Sequence, residues 1–131
     1  MSTADGLEAA NRAYYTALSA RDLAAMEQIW ATTPQVTNIA PPTRPAAHIG
    51  WPAVRANYER FWGSLSRLTV TMENPTFAVH GDVGWVHGIE RTQRVSHSGE
   101  HSGGRNFGTS IFVRDGGRWR MVFHQAAPLP E

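Results

Sequence analysis

The stretch Arg67-Leu-Thr-Val-Thr-Met72 marks a boundary between two kinds of chain. Leu68, Val70 and Met72 alternate with polar residues, the two-residue period of a strand with one buried face. Upstream, apolar residues recur at helical spacing. Asp5, with Glu8 three positions later, has the form of a capping box, and Leu7, Ala10, Tyr14, Ala17 and Leu18 follow as one stripe. Asp22 opens a second, shorter helix carrying Leu23, Met26, Ile29 and Trp30, and Pro34 ends it. Residues 35–40 are a short strand candidate, and Pro41, Pro42 and Pro45 mark an irregular loop. Gly50 and Pro52 open a third helix, with Val54, Tyr58, Phe61, Trp62 and Leu65 on one side.

Downstream, the alternation breaks at Asn74-Pro75 and resumes with Phe77 and Val79. His80-Gly81-Asp82 reads as a turn, residues 83–97 as a long strand, and 98–104 as a flexible connection. A strand over 105–114 meets Asp115-Gly116-Gly117, a hairpin signal, and a last strand runs over 118–126. The order is helix, helix, strand, helix, then four strands in a meander. Three helices cannot cover both faces of such a sheet. The expected fold is α+β: a curved antiparallel sheet with the helices on its concave face and a blind apolar cavity between them. The uncovered sheet face still carries large apolar residues, which points to a homodimer through it.

Composition narrows the classes of function. The chain has 131 residues, 41% of them hydrophobic and 18% charged, with a net charge of +1. It reads as a single domain over 1–131 with a real core, not as a disordered segment. Near-neutrality argues against nucleic acid as a partner. All 12 basic residues are arginine, which we read as composition bias. Cysteine is absent, so thiolate chemistry and disulfides are excluded. No apolar run approaches the ~18 residues of a membrane span, and the N-terminus does not read as a signal peptide, so the expectation is a cytoplasmic protein off the membrane.

Four segments carry a likeness to a known family: Tyr14-Tyr-Thr-Ala-Leu-Ser-Ala-Arg-Asp-Leu23, Gly50-Trp-Pro-Ala-Val-Arg55, Gly81-Asp-Val-Gly-Trp-Val86, and Gly116-Gly-Arg-Trp-Arg-Met-Val122 with His124. In order and spacing the chain resembles the nuclear transport factor 2-like superfamily, nearest its SnoaL-like and ketosteroid-isomerase-like members. That resemblance implies a cone-shaped domain that hosts isomerases, dehydratases, epoxide hydrolases, cyclases and non-catalytic modules. It places the isomerase's oxyanion-hole tyrosine on Tyr14, its general-base aspartate on Asn38, and its protonated aspartic acid near Thr109. An amide takes no proton at neutral pH, so standard ketosteroid isomerase chemistry is excluded. Asn38, Tyr14 and Arg91 imitate part of the epoxide hydrolase arrangement, but Gln93 stands where a carboxylate is wanted.

The resemblance also turns His87, Ile89 and Arg91 on the long strand, and Val122, His124 and Ala126 on the last, into the cavity. His124 and His87 are then candidate acid and base, or hydrogen-bonded core histidines. Tyr14 and Arg91 are candidate oxyanion stabilisers; the alternatives are a core tyrosine and, for Arg91, a pair with Glu90, Glu73 or a partner chain at the dimer interface. Asn38, Thr109, Ile89 and Val122 join Trp30, Tyr58 and Trp62 as a ligand-contacting set, and Trp119 is expected on the opposite face. His97-Ser-Gly-Glu-His101 matches the inverted zinc-protease pattern, but its serines and glycines favour a hairpin connection over the helix that pattern needs. His48, in the proline-rich loop, reaches toward the cavity mouth. The expectation is a pocket for a small apolar or carbonyl-containing molecule, with no metal and no cofactor. Cofactor-free proton transfer and non-catalytic binding or dimerisation both remain open.

Overall fold

A computed structural model of the chain describes residues 3–40 and 45–130. Three helices, α1 (Thr3–Ala20), α2 (Leu23–Ile29) and α3 (Trp51–Gly63), pack on one face of a six-stranded sheet. The strands are β1 (Thr37–Ile39), β2 (Ala47–Ile49), β3 (Leu65–His80), β4 (Val83–Ser96), β5 (His101–Asp115) and β6 (Arg118–Pro128). Their spatial order is β2-β1-β6-β5-β4-β3, a curved α+β sheet that does not close.

The helices begin and end on local signals. Helix α1 starts at Thr3, so Asp5 sits within its first turn rather than at a cap; the Asp5 side chain lies outside the described residues, as do Pro41 and Pro42. Arg21 adopts φ 56°, ending α1, and its guanidinium donates to the carbonyls of Leu65 and Ser66 at 2.8 and 3.2 Å. Asp22 caps α2 by accepting from the Ala25 N–H at 3.1 Å. Gly50, at φ 88°, turns the chain into α3 ahead of Pro52. Ser19 fastens α1 to the edge strand: its hydroxyl donates to the Val70 carbonyl at 3.1 Å and accepts from the Val70 N–H at 2.9 Å.

Four features of the sheet depart from the sequence reading. First, β1 pairs with β6 in parallel, so the sheet is mixed rather than wholly antiparallel. Second, the proline-rich loop contains β2, which pairs Asn38 with His48. Third, Asn74-Pro75 does not interrupt β3. The pairing skips from Glu73 to Thr76 as a bulge, with Asn74 at φ 53°. Fourth, β5 begins at His101, so most of the supposed flexible connection is ladder.

The parity of β4 is the reverse of the sequence expectation. The inward face of β4 is Gly84, Val86, Gly88, Glu90, Thr92 and Arg94, not His87, Ile89 and Arg91. Gly84 shows why: a Cβ there would lie 2.9 Å from Leu7 Cδ2, so α1 rests directly on this strand. A second slip occurs on β6. Phe112 pairs with Met121 and Ile111 with Phe123, which leaves Val122 as an extra residue in a bulge. Met121 and Trp119 therefore turn inward with His124, and Trp119 packs beside Gly6 and under Arg114 rather than on the opposite face. Trp30, Phe112, Met121, Met26, Leu7 and Val86 are fully buried and form the centre of the core.

Candidate functional site

The concave face and the helices enclose a cavity of about 250 Å3. Its apolar wall comes from Leu18, Ala40, Phe61, Val70 and Ala126. Its polar lining comes from Tyr14, Asn38, Tyr58, His124 and Glu90 at the deep, buried positions, with Asn57, Thr92, Arg94 and Asn106. Wider grooves run along α1, about 900 Å3 against β3 and 760 Å3 against α2. Neither reaches His124 or Glu90, so the chemistry singles out the smaller hollow.

Glu90 and His124 are each 4% exposed and form the centre of this site. The Tyr15 hydroxyl donates to Glu90 Oε2 at 2.6 Å, and His124 Nε2 lies 3.1 Å from the same oxygen. His124 Nδ1 is 2.7 Å from the Ser110 hydroxyl. Both ring nitrogens are therefore occupied. Glycine makes the arrangement possible: a Cβ on Gly108 would fall 2.6 Å from Glu90 Cδ and 2.7 Å from Oε2. The carboxylate leans across the bare backbone of β5 to reach His124. Glu90 Oε1 accepts no hydrogen bond among the described residues.

A second chain of polar groups approaches from the helices. Trp30 Nε1–H donates to the Tyr58 hydroxyl at 3.2 Å, and the Tyr58 and Tyr14 hydroxyls are 3.1 Å apart. Either hydroxyl can donate in the Tyr14–Tyr58 contact; in the arrangement where Tyr58 donates to Tyr14, the Tyr14 proton is free for a ligand. The Tyr14 ring lies 5.0 Å from the His124 ring, so the two networks meet at the cavity floor. Asn38 pairs with His124 across β1 and β6, and its Oδ1 is buried with no hydrogen-bond partner among the described residues.

Burial shapes the ionisation. It pushes Tyr14 and Tyr15 well above the ordinary phenol value, with further pushes from Tyr58 and Glu90 on Tyr14 and from Glu90 on Tyr15. Tyr58 also ends up raised, burial outweighing its bonds to Tyr14 and Trp30. All three remain donors. Burial alone would raise Glu90; the charge of His124 and the bonds from His124 and Tyr15 together outweigh it and hold the carboxyl below its ordinary 4.5.

The structure sorts the sequence candidates. Tyr14, Asn38, Tyr58 and His124 line the cavity. Trp30 and Trp62 stand behind the lining, Trp62 stacked on Tyr58 at 5.3 Å between ring centres. His87, Ile89, Arg91 and Thr109 lie on the outer sheet face: His87 stacks on Phe107, and Arg91 pairs with Glu73 at 3.4 Å. Val122 sits in the bulge. His48 is buried on β2 opposite Asn38 and is not part of the cavity lining. His97 and His101 flank the β4–β5 hairpin, where His97 Nε2 is 2.8 Å from the Gly63 carbonyl. Among the described residues no three metal-ligating side chains cluster.

Sequence reasoning missed Glu90, Ser110 and Arg94 as cavity or site residues, and held Tyr15 only as a lesser candidate beside Tyr14. The carboxylate it sought at position 93 is supplied from position 90. The readable signal was glycine at 84, 88 and 108, which marks the face where side chains must be absent.

The depressed carboxyl makes stability depend on pH. A group whose folded-state pKa lies below its unfolded value stabilises the fold above the unfolded value, and that contribution disappears as pH falls through the folded one. Urea midpoints measured from about pH 6 to about pH 3 therefore fall in the wild type as pH drops below the ordinary 4.5. In Glu90→Gln the profile is flatter across that window.

A family model for the SnoaL-like domain matches residues 7–130. No curated protein sequence matches the chain. Among solved structures, a candidate dehydratase of the nuclear transport factor 2-like family from Streptomyces avermitilis superposes with a TM-score of 0.86 at 20% identity, covering 97% of each chain. A nuclear transport factor 2-like superfamily protein from Salmonella enterica gives 0.85 at 16% identity, covering 93% of this chain and 87% of that one. A candidate calcium/calmodulin-dependent protein kinase type II association domain from Thiobacillus denitrificans gives 0.74 at 29% identity, covering 94% of each. With the family match spanning nearly the whole chain and these structures sharing its architecture, the protein belongs to the SnoaL-like domain family and has the nuclear transport factor 2-like fold.

Proposed function

We propose that the cavity binds a small carbonyl-containing molecule and moves a proton on it without a cofactor. The observation that carries this reading is the buried Glu90 carboxylate, ionised at neutral pH, with Oε1 unbonded among the described residues, in a cavity also lined by Tyr14 and Asn38. Glu90 Oε1 accepts a proton from the carbon next to the carbonyl. The C–H electron pair becomes the C=C bond of an enolate, and the C=O pair moves onto oxygen. Tyr14 donates to that oxygen as its charge develops, with Tyr58 and Trp30 polarising the hydroxyl from behind. Protonated Glu90 then trades its proton with solvent and returns one to the same carbon, giving exchange, or, where a C=C bond is conjugated with the enolate, returns the proton to the far carbon of the dienolate, giving isomerisation. His124, Tyr15 and Ser110 are positioning residues. His124 holds the carboxylate rather than attacking substrate, because both of its nitrogens are engaged. Asn38 Oδ1 takes a donor from the ligand.

The fold neighbours labelled dehydratase or aromatic ring hydroxylase share 20% and 13% identity with the chain, so the reading rests on the cavity rather than on their labels. The test is exchange of the α-protons of cyclohexanone in heavy water, followed by proton NMR. The wild type accelerates the exchange; Glu90→Gln lowers the rate by about 10²- to 10⁴-fold and Tyr14→Phe by about 10²- to 10³-fold. Equal rates in wild type and Glu90→Gln overturn the assignment of the base.

The outer sheet face supports a second proposal, that two copies of this chain pair through it. Trp85 and Phe107 are 39% and 43% exposed there, beside Val83 at 39% and the His87 ring. A monomer rarely leaves such a patch to water. The Thiobacillus denitrificans neighbour is labelled an association domain, which favours another copy as the covering partner. Light scattering after size exclusion should give twice the chain mass for the wild type and the chain mass for Trp85→Asp with Phe107→Asp. A wild-type monomer at micromolar concentration rejects this pairing.

A further inference from the structure

The cavity carries one cation that the proton-transfer reading does not use. Arg94 lies on the inward face of β4, four residues beyond Glu90 with Thr92 between them, and all three line the cavity. At about 3.3 Å per residue, the Glu90 and Arg94 backbones are about 13 Å apart along the strand. Glu90 is at the buried end, while Arg94 is half-buried at the rim. The site therefore has a carboxylate base deep in the cavity and a guanidinium near its entrance.

The guanidinium is held but not neutralised. Arg94 Nε donates to Ser102 Oγ at 3.3 Å, which fixes the stem of the side chain against β5. Neither Nη atom makes a hydrogen bond among the described residues, and no carboxylate there lies within 4.0 Å of Arg94. The arginines of the ion pairs, Arg55, Arg91 and Arg114, are all spent on surface carboxylates. The neighbouring strand is bare beside this rim: Gly104 lies opposite Thr92, and a side chain there would meet nothing within 4 Å. With Nε engaged by Ser102, the Nη1/Nη2 edge of the planar fork is free at an unobstructed entrance, and that edge matches a carboxylate.

We infer that the substrate is a small keto acid, held by its carboxylate at Arg94 with its carbonyl end directed to Tyr14 and Glu90. This rests on the proton-transfer reading for the orientation of the carbonyl, but the Arg94 subsite stands by itself as a carboxylate-binding position. It also explains why a cavity with an ionised base would accept an anion. The ligand's charge stays at the rim beside the guanidinium, while only its neutral end approaches Glu90. The cavity of about 250 Å3 limits the acid to a compact one.

The test uses direct binding, so it does not depend on turnover. The probes are 4-oxocyclohexanecarboxylate and its methyl ester, titrated against the full chain and followed by protein NMR shifts. The wild type should bind the acid about tenfold or more tightly than the ester, and the preference should weaken as salt is raised. Arg94→Gln should bind the two alike, and Arg94→Lys should recover part of the preference. Glu90→Gln should keep the preference while losing cyclohexanone exchange, which separates the anion subsite from the base. A wild type that binds both probes equally, or an Arg94→Gln protein that still prefers the acid, overturns the inference.

Discussion

A carboxylate taken out of water must be held by groups that replace its hydration, and the interior of this protein is arranged around one such group. Leaving Glu90 charged and unpaired at 4% exposure would cost several kcal/mol. Two donors from opposite parts of the chain, the Tyr15 hydroxyl on α1 and the His124 ring on β6, converge on a single oxygen. The other oxygen is thereby left for the cavity. Removing either donor would break a buried pair, so the same contacts that hold α1 and β6 against β4 also set the charge of the candidate base. Fold and chemistry share one cluster.

The rest of the core follows from making room for it. Gly108 leaves space for the Glu90 carboxylate, and Gly84 lets α1 lie close enough for Tyr15 to reach across. The bulge at Val122 keeps His124 and Met121 on one face of β6, although they are three residues apart. Aromatic side chains from α1 and α3, with Trp30 just beyond α2, close the other side. Their polar atoms are linked in sequence from Trp30 through Tyr58 to Tyr14 rather than left unpaired. A cavity built in this way has fixed donors before any ligand arrives, which is the condition under which buried dipoles help most.

The helix-then-strand order, the three helices and the long hairpins were legible in the sequence, because helical stripes, the Asp22 cap and the glycine turns are local signals. The α+β cone followed from them together with the family resemblance. The site was only partly legible. Tyr14, Asn38 and His124, expected in the cavity from that resemblance, and Tyr58, from the aromatic set, are in its lining. Alternation alone does not orient β4, because Trp85 and Ile89 on one face are as apolar as Val86 and its glycines on the other. The opposite parity turns His87 and Arg91 inward and Glu90 outward. The short β2 escaped notice because three residues among prolines carry no period. The Tyr15–Glu90 contact joins positions 75 apart in the chain, a distance over which local patterning is silent.

The whole site turns on Glu90 being a buried anion held by Tyr15 and His124. Its most direct measurement is a carbon-13 NMR titration of the Glu90 side-chain carboxyl in the folded protein. The carboxylate chemical shift should be present at neutral pH and persist on acidification to below the ordinary 4.5, with a shift change at the His124 ring as the proton arrives. A carboxyl that is already protonated at neutral pH would contradict it.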